Sequence, residues 1–186
     1  MRSFFLFCIL SLFLQVQNKN TFSFREEYIE FRLKGSVFTV NGNYIFVNNT
    51  ANTVSSEINY PFPVALSIID SIHVFDNSQG KFLNFKRISK AILFRLVLMP
   101  LDTVKMNIFY RQTGVKDTIR YILTTTKIWG KALKRGEYTF ETDTGTHIKS
   151  FSYPPDKQVI HGNHQKFYWH KKDFMPEKDF IVVMGK

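Results

Sequence analysis

Cysteine is nearly absent from this chain of 186 residues, which contains only Cys8. A single cysteine cannot form an intrachain disulfide, and Cys8 lies in an apolar N-terminal run that an export signal peptidase would remove. We therefore expect a mature protein without disulfides and without a cysteine nucleophile. For an exported protein, this composition fits a bacterial periplasm or cell surface better than a eukaryotic secreted domain.

The sequence also lacks the motifs of several common enzyme classes. A phosphate-binding glycine loop, a dinucleotide-binding fingerprint, a GxSxG elbow and an HExxH pair are all missing. One Asp-Thr-Gly triplet occurs at 143–145, but aspartic proteases use two such aspartates, and here polar Glu141 and Thr142 precede the triplet. A turn accounts for these residues at no extra cost. We predict that the protein is not an enzyme and that it needs no cofactor.

A hydrolase acting on envelope polysaccharide is the alternative hypothesis. Glycoside hydrolases use two carboxyl groups, and these can come from any two strands, so sequence spacing leaves the hypothesis open. The candidate carboxylates are Asp70, Asp102, Glu137 and Glu141.

Helical periodicity is missing as well. Downstream of the N-terminal run, apolar and polar residues alternate in many short stretches, as in 103–112, where Val104, Met106 and Ile108 share one face. Pairs such as Asn41-Gly42 and Arg135-Gly136 stand between such stretches and predict turns. The sequence predicts one all-β domain over 18–186, an antiparallel β-sandwich of about ten short strands.

The N-terminus has the order of charges and apolar residues that is typical of a secretory signal. Arg2 is followed by a predominantly apolar run from Phe4 to Leu14 and then by polar residues. That run is shorter than the roughly 20 residues that span a bilayer. We predict a signal peptide over 1–17, no transmembrane segment after its removal, and a secreted, periplasmic or cell-surface location in a bacterium.

Positive charge exceeds negative charge, with 25 Lys and Arg against 15 Asp and Glu, a formal net charge of +10. In an exported protein this excess favours an anionic envelope component or another exported protein as the partner, and nucleic acid is not expected. Whether the basic residues share a face depends on which strands are neighbours. The candidate binding residues are Lys86, Arg87, Lys131, Lys134, Arg135, Lys166, Lys171 and Lys172.

Three of the five histidines, His161, His164 and His170, fall within ten residues of each other. Three imidazoles can hold zinc, so these are the candidate metal ligands. Strand alternation, however, puts Phe167 and Trp169 on one face and His170 among lysines on the other. We therefore predict a near-edge strand entered through a Gly-Asn turn, and a metal site only if the three histidines converge.

The run IEFRLKGSVFTVNGNYIFVNNTANTVSSEINYPFPV has a strand, a glycine, a second strand, an Asn-rich turn, an acid and a strand that ends in Pro-Phe-Pro. It resembles the start of the VIT domain (vault and inter-α-trypsin inhibitor type), and it is also similar to small exported bacterial proteins of unknown function. The matching residues are Gly35, Asn48, Glu57, Tyr60, Pro61, Phe62 and Pro63, followed by Pro100, Val104 and Tyr110. The resemblance implies a β-sandwich that serves extracellular scaffolds without catalytic residues. We therefore expect a binding or scaffolding role at the cell envelope.

Overall fold

A computed structural model describes residues 22–64 and 68–185, and the predicted signal peptide lies outside this range. The described residues form fourteen strands and one 3-10 helix. The strands are β1 (Phe22–Lys34), β2 (Val37–Asn48), β3 (Val54–Pro61), β4 (Ile69–Asp76), β5 (Lys81–Phe82), β6 (Phe85–Ile88), β7 (Ala91–Leu98), β8 (Thr103–Gln112), β9 (Thr118–Tyr121), β10 (Leu133–Asp143), β11 (Ile148–Phe151), β12 (Lys157–His161), β13 (His164–Phe174) and β14 (Phe180–Met184). The 3-10 helix spans Thr124–Trp129. None of the helical structure in these residues is long and apolar enough to cross a membrane.

The predicted all-β class is confirmed, although the strands are more numerous than expected and several are long. β1 has 13 residues and β2 has 12. Both alternate between buried and less buried residues along most of their length, because one face of the sheet packs into the core. Gly35 has a φ of 55° in the tight turn between them, a conformation that glycine adopts without steric cost.

The strands form three sheets. The largest has eight strands in the order β12-β13-β10-β1-β2-β8-β4-β5, and the two smaller sheets have the orders β3-β7-β6 and β11-β14-β9. All pairs are antiparallel except β1 with β10, where Glu26 lies opposite Arg135 and the strands run in the same direction. This parallel pair joins two segments that are far apart in the chain and places β1 at the centre of the large sheet.

The two small sheets cover one face of the large sheet, which gives the molecule its sandwich architecture. Phe180 of β14 packs against Phe31 of β1 at 4.6 Å and against Trp169 of β13 at 4.9 Å between ring centroids. Phe62, which follows β3, packs edge-on against Tyr110 of β8 at 5.0 Å. The core therefore consists largely of aromatic rings held between two layers.

Two predicted turns are wrong. Asn41-Gly42 lies inside β2, and Arg135-Gly136 lies inside β10. In each case the space above the glycine is occupied by a tyrosine ring, so the residue serves side-chain packing and not chain reversal. The predicted turn at 143–145 is confirmed, with the amide of Thr146 donating to the carbonyl of Asp143 at 2.9 Å.

Candidate functional site

A pocket of about 490 Å³ opens where the edges of the two small sheets approach each other over the large sheet. Strand β3 forms one wall, and β9 with the 3-10 helix forms the other. The floor is made by the inner face of β1, β2 and β8. This volume is in the usual range for small-molecule sites in proteins.

Glu27 is the most unusual residue of the floor, because it is a carboxyl side chain with only 3% of its surface exposed. A bulge between Phe24 and Glu26 shifts the alternation of β1, so that both Phe24 and Glu27 are buried and line the pocket. The hydroxyl of Tyr138 donates to Oε1 of Glu27 at 2.5 Å. Burial raises the pKa of Glu27 from 4.5 to about 7, although the hydrogen bond from Tyr138 acts in the opposite direction.

Three further tyrosines form a buried hydrogen-bonded chain beside Glu27. The hydroxyl of Tyr44 on β2 lies 2.9 Å from that of Tyr60 on β3 and 2.9 Å from that of Tyr121 on β9. Burial raises the pKa of all three, with nearby Glu27 adding to the effect, so they stay protonated at neutral pH. Three hydroxyls carry three protons and the two bonds use two of them, so one proton is not used within this chain of tyrosines.

The same local motif places Tyr44 and Tyr138. In Gly42-Asn43-Tyr44 and in Gly136-Glu137-Tyr138, the tyrosine ring lies back over the glycine two residues earlier. A Cβ at Gly42 would lie 2.3 Å from the Tyr44 hydroxyl, and one at Gly136 would lie 2.7 Å from the Tyr138 hydroxyl. Gly136 is also the register partner of Glu27, which explains how the Tyr138 hydroxyl reaches that carboxyl group.

The outer part of the pocket is an aromatic wall. Trp129, at the end of the 3-10 helix, packs against Phe22 at 5.3 Å, Phe46 at 5.5 Å and Phe24 at 5.9 Å between ring centroids. Ile128 beside it is 76% exposed and lies at the mouth. Apolar walls around a few polar groups are the usual composition of a small-molecule site.

Asp179 fixes the 3-10 helix that carries this wall. Its carboxylate accepts hydrogen bonds from the backbone amide and the hydroxyl of Thr124, at 3.2 and 2.8 Å, and it pairs with Arg120 at 2.7 Å. Burial alone would raise the pKa of Asp179, but these hydrogen bonds and the arginine outweigh it and hold the pKa below its usual value. The carboxylate is therefore the stable form in the folded chain.

The three candidate metal ligands lie along one hairpin and do not share a centre. His161 and His164 face each other across the turn between β12 and β13, and His164 lies 3.3 Å from Asp143. His170 is six residues further along β13, a separation of roughly 20 Å in an extended strand. Within the described residues, no group of three His, Cys, Asp or Glu side chains could hold a metal ion.

The candidate basic residues are distributed over three parts of the fold, namely β6, the segment before β10, and the β10–β13 pair. Lys86 and Arg87 lie on β6, an edge of a small sheet, and Lys131 precedes β10. Arg135 lies opposite Lys172 at one end of the β10–β13 pair. The remaining candidates are Lys134 on β10, Lys171, which pairs with Asp156 at 3.3 Å, and Lys166, which lies 3.9 Å from Glu141.

The candidate carboxylates of the hydrolase hypothesis are engaged individually. Asp70 holds Arg111 through two hydrogen bonds of 2.7 and 2.9 Å, and Asp102 accepts from the amide of Thr103 at 2.7 Å. Glu137 and Glu141 share a face of β10 but stand four residues apart, or about 13 Å along a strand. The spacing for general acid and base catalysis is about 5 to 10 Å.

Sequence reasoning missed the pocket, but a signal for part of it was present. Glu27 stands in phase with Ile29 and Phe31, which lie on the core face of β1. A carboxyl residue in phase with core residues of a strand indicates a buried acid. The contributions of Tyr60 and Tyr121 were not visible, because they depend on which sheet edges meet.

Comparisons with known proteins support the fold. No protein-family model matches the chain, and no curated protein matches its sequence. Among solved structures, a "putative nutrient binding protein" from Legionella pneumophila superposes with a TM-score of 0.72 at 17% identity, over 89% of this chain and 67% of that one. An M1 zinc metallopeptidase from Deinococcus radiodurans superposes with a TM-score of 0.56 at 8% identity, over 88% of this chain and 42% of that one. At identities this low, the superpositions show a shared all-β fold and nothing more. The chain spans less than half of the length of the peptidase.

Proposed function

We propose that this protein is a binding protein that takes a small, mainly apolar ligand into the pocket between β3 and β9. The observation that carries the proposal is a cavity of about 490 Å³ with an aromatic wall and a buried carboxyl at its floor. A carboxyl group buried in an apolar cavity is costly to a fold even with one hydrogen bond, and a buried acid with a raised pKa in a pocket is a candidate for a binding role. The description of the Legionella protein as nutrient binding agrees with this role.

The proposal includes export to the bacterial periplasm, cell surface or medium. Its support is the N-terminal pattern of Arg2 followed by an apolar run, together with the lack of cysteine in the remaining chain. Fractionation of cells that express the full chain tests this part. Recovery of a shortened protein outside the cytoplasm is the expected result, and a full-length cytoplasmic protein would contradict it.

An anionic envelope partner is a separate proposal that concerns another surface. Its support is the cross-strand neighbourhood of Arg135 and Lys172, two basic side chains that pair with each other in register. Lys134 is the neighbouring residue of β10, and since successive side chains of a strand point to opposite faces it does not belong to this pair. Binding of an anionic envelope component at this surface should weaken steeply as the salt concentration rises. The double substitution of Arg135 and Lys172 by Ser should abolish this binding.

Binding, and not hydrolysis, is the activity that we propose. The four carboxylates of the hydrolase hypothesis are tied to neighbouring groups or lie too far apart along β10. The kinship with the VIT domain stays a prediction. An assay of the purified protein on purified cell-wall polysaccharide would detect hydrolysis as new reducing ends.

The test of the pocket uses Nile red, an uncharged apolar dye whose emission rises when it leaves water. We expect saturable binding of the dye by the wild-type protein. Ser56 lines the pocket on β3, so Ser56→Trp should fill part of the cavity and weaken dye binding by at least about tenfold. Thr103→Trp, on exposed β8 surface outside the pocket, is the matched control and should bind like the wild type.

The two variants separate pocket binding from non-specific adsorption. If Ser56→Trp binds the dye as tightly as the wild type, the dye is held elsewhere and the proposed site is wrong. Far-ultraviolet circular dichroism of both variants confirms that they share the strand content of the wild type.

A further inference from the structure

The charge of the pocket is opposite to the charge of the protein. Two carboxyl residues, Glu27 and Glu57, line the pocket, and no Lys, Arg or His is found among the described residues that line it. The whole chain nevertheless has 25 basic residues against 15 acidic ones. Arg25 and Lys127, which lie close to the pocket along the chain, are not part of its lining. An anionic ligand would therefore meet only like charge inside the pocket.

Glu27 has an oxygen left for a ligand. Its Oε1 accepts from the Tyr138 hydroxyl, but among the residues that the structure describes no group donates to Oε2. An ionised carboxylate that is 3% exposed is costly unless a positive charge or several donors neutralise it. An ammonium group supplies both, with three N–H donors and a full positive charge.

The ring faces around the pocket favour the same chemistry. Tyr44 lies at the floor with Glu27, Tyr60 lies in the wall formed by β3, and Trp129 stands in the outer wall. Aromatic faces attract cations, most strongly where water is excluded, and tryptophan attracts them best. The same rings provide the apolar surface that a hydrocarbon body would cover.

We propose that the ligand of this pocket is an amine with an apolar body, whose ammonium group binds Oε2 of Glu27 while the body packs on the aromatic wall. The inference rests on the proposed function, because it names the ligand class of the same pocket. The groups that face Glu27 are the hydroxyls of Tyr138 on β10 and Tyr44 on β2, with Tyr60 and Tyr121 behind them. All of these are uncharged at neutral pH, so the ammonium group would be the positive partner of the carboxylate.

Three compounds with one hydrocarbon body test the ligand class. 4-Phenylbutylamine is a cation, 4-phenylbutanol is neutral and 4-phenylbutyrate is an anion, and each is titrated against protein loaded with Nile red at about pH 8, where Glu27 is mostly ionised. We expect the amine to displace the dye at a concentration at least about tenfold lower than the alcohol, because a charged hydrogen bond is worth about a factor of ten or more. The carboxylate should bind more weakly than the alcohol.

The Glu27→Gln variant tests whether the preference for the amine over the alcohol depends on the contact between the ammonium group and the Glu27 carboxylate. Glutamine keeps an acceptor for the Tyr138 hydroxyl but removes the negative charge. The variant should still bind Nile red, which shows that it is folded, and it should bind the amine no better than the alcohol. The matched control is Glu30→Gln, which removes an exposed carboxylate of the same strand outside the pocket and should keep the wild-type preference.

The possible results separate the ligand class from the pocket itself. If the alcohol or the carboxylate displaces the dye as well as the amine does, or if no compound displaces it, the amine inference is overturned while dye binding still supports the pocket. If Glu27→Gln keeps the amine preference, Glu27 is not the cation site. If the wild-type protein does not bind the dye, the proposed function fails first.

Discussion

Glu27 makes the free energy of unfolding depend on pH in a definite direction. The pKa of its carboxyl group is 4.5 before burial and about 7 in the folded chain, so folding takes up a proton between these values. Stability is then highest below about pH 4.5 as far as Glu27 is concerned, and it falls as pH rises to about 7. The total loss in the free energy of unfolding is about 3 kcal/mol, and it would be larger without the hydrogen bond from Tyr138, which lowers the pKa of Glu27.

Urea unfolding from about pH 5 to about pH 8 measures this loss, and Glu27→Gln should remove most of it because the amide does not ionise. The matched control is Glu30→Gln, which removes an exposed carboxylate from the same strand and should keep the wild-type slope. If the Glu27→Gln protein showed the same pH slope as the wild type, another group would have to be the source.

Gly42 is required because the Tyr44 ring occupies the space of its missing side chain. A Cβ there would meet the hydroxyl, Cζ and Cε2 of Tyr44 at 2.3 to 2.7 Å, so Gly42→Ala must displace the ring. Displacement breaks the hydrogen bonds that join Tyr44 to Tyr60 and Tyr121. We expect a loss of about 2 to 3 kcal/mol in the free energy of unfolding, together with weaker dye binding.

Gly145→Ala is the matched control for this substitution, because no atom lies within 4 Å of the added Cβ. Its effect should stay within about 0.5 kcal/mol. A Gly42→Ala protein as stable as the control would show that the Tyr44 ring can move at little cost, and the hydroxyl chain would then be dispensable to the fold.

At the scale of elements, the 3-10 helix depends on Asp179 for its position. Asp179→Ala removes two hydrogen bonds to Thr124 and the ion pair with Arg120. We expect a loss of about 2 to 3 kcal/mol in the free energy of unfolding. Because Ile128 and Trp129 follow in the same helix, the affinity for Nile red should fall as well. Urea unfolding and dye titration are the two measurements.

The control for Asp179 is Asp117→Ala, which removes an exposed aspartate next to β9 and should leave both quantities near the wild-type values. A loss of stability in Asp179→Ala without any loss of dye affinity would mean that the wall of the pocket holds its position without this anchor.

Strands could be predicted from the sequence, because a strand with one buried face alternates between apolar and polar residues, and this alternation can be read from a short stretch of sequence. Val104, Met106 and Ile108 illustrate this, since all three are buried as expected. The two glycines in β2 and β10 could not be assigned correctly, because glycine favours turns and also admits an overlying ring, and sequence does not distinguish these uses. Glu27 was not predicted, although its position in phase with Ile29 and Phe31 was a signal for a buried acid, and no local signal pointed to its tyrosine partners.

The pairing of strands was beyond the reach of local patterns. β1 lies between β2, its neighbour in the chain, and β10, which joins it in parallel with Glu26 opposite Arg135. Alternation shows which face of a strand is buried but does not name its partner. The pocket exists only because β3 and β9, from different sheets, meet over β2, so its existence could not be derived from any single segment.

At the scale of the whole molecule, the chain has a formal net charge of +10, whereas the two charged residues among the described ones that line the pocket, Glu27 and Glu57, are both acidic. The field of the protein therefore repels an approaching cation, while the carboxylate at the floor attracts it once it is inside. Salt screens the repulsion by the surface charges more than the attraction by Glu27. The surface charges lie beyond a Debye length, which is about 8 Å at physiological salt, whereas the buried pair is shielded from ions.

This contrast predicts an unusual salt dependence for amine binding. Raising sodium chloride from low to physiological concentration should tighten the binding of 4-phenylbutylamine by about twofold, since the repulsion is screened and the contact with Glu27 is not. Binding of uncharged 4-phenylbutanol should stay nearly constant and is the matched control. Amine binding that weakens with salt would place the ammonium group at an exposed carboxylate such as Glu57, because only a solvated ion pair loses strength in that way.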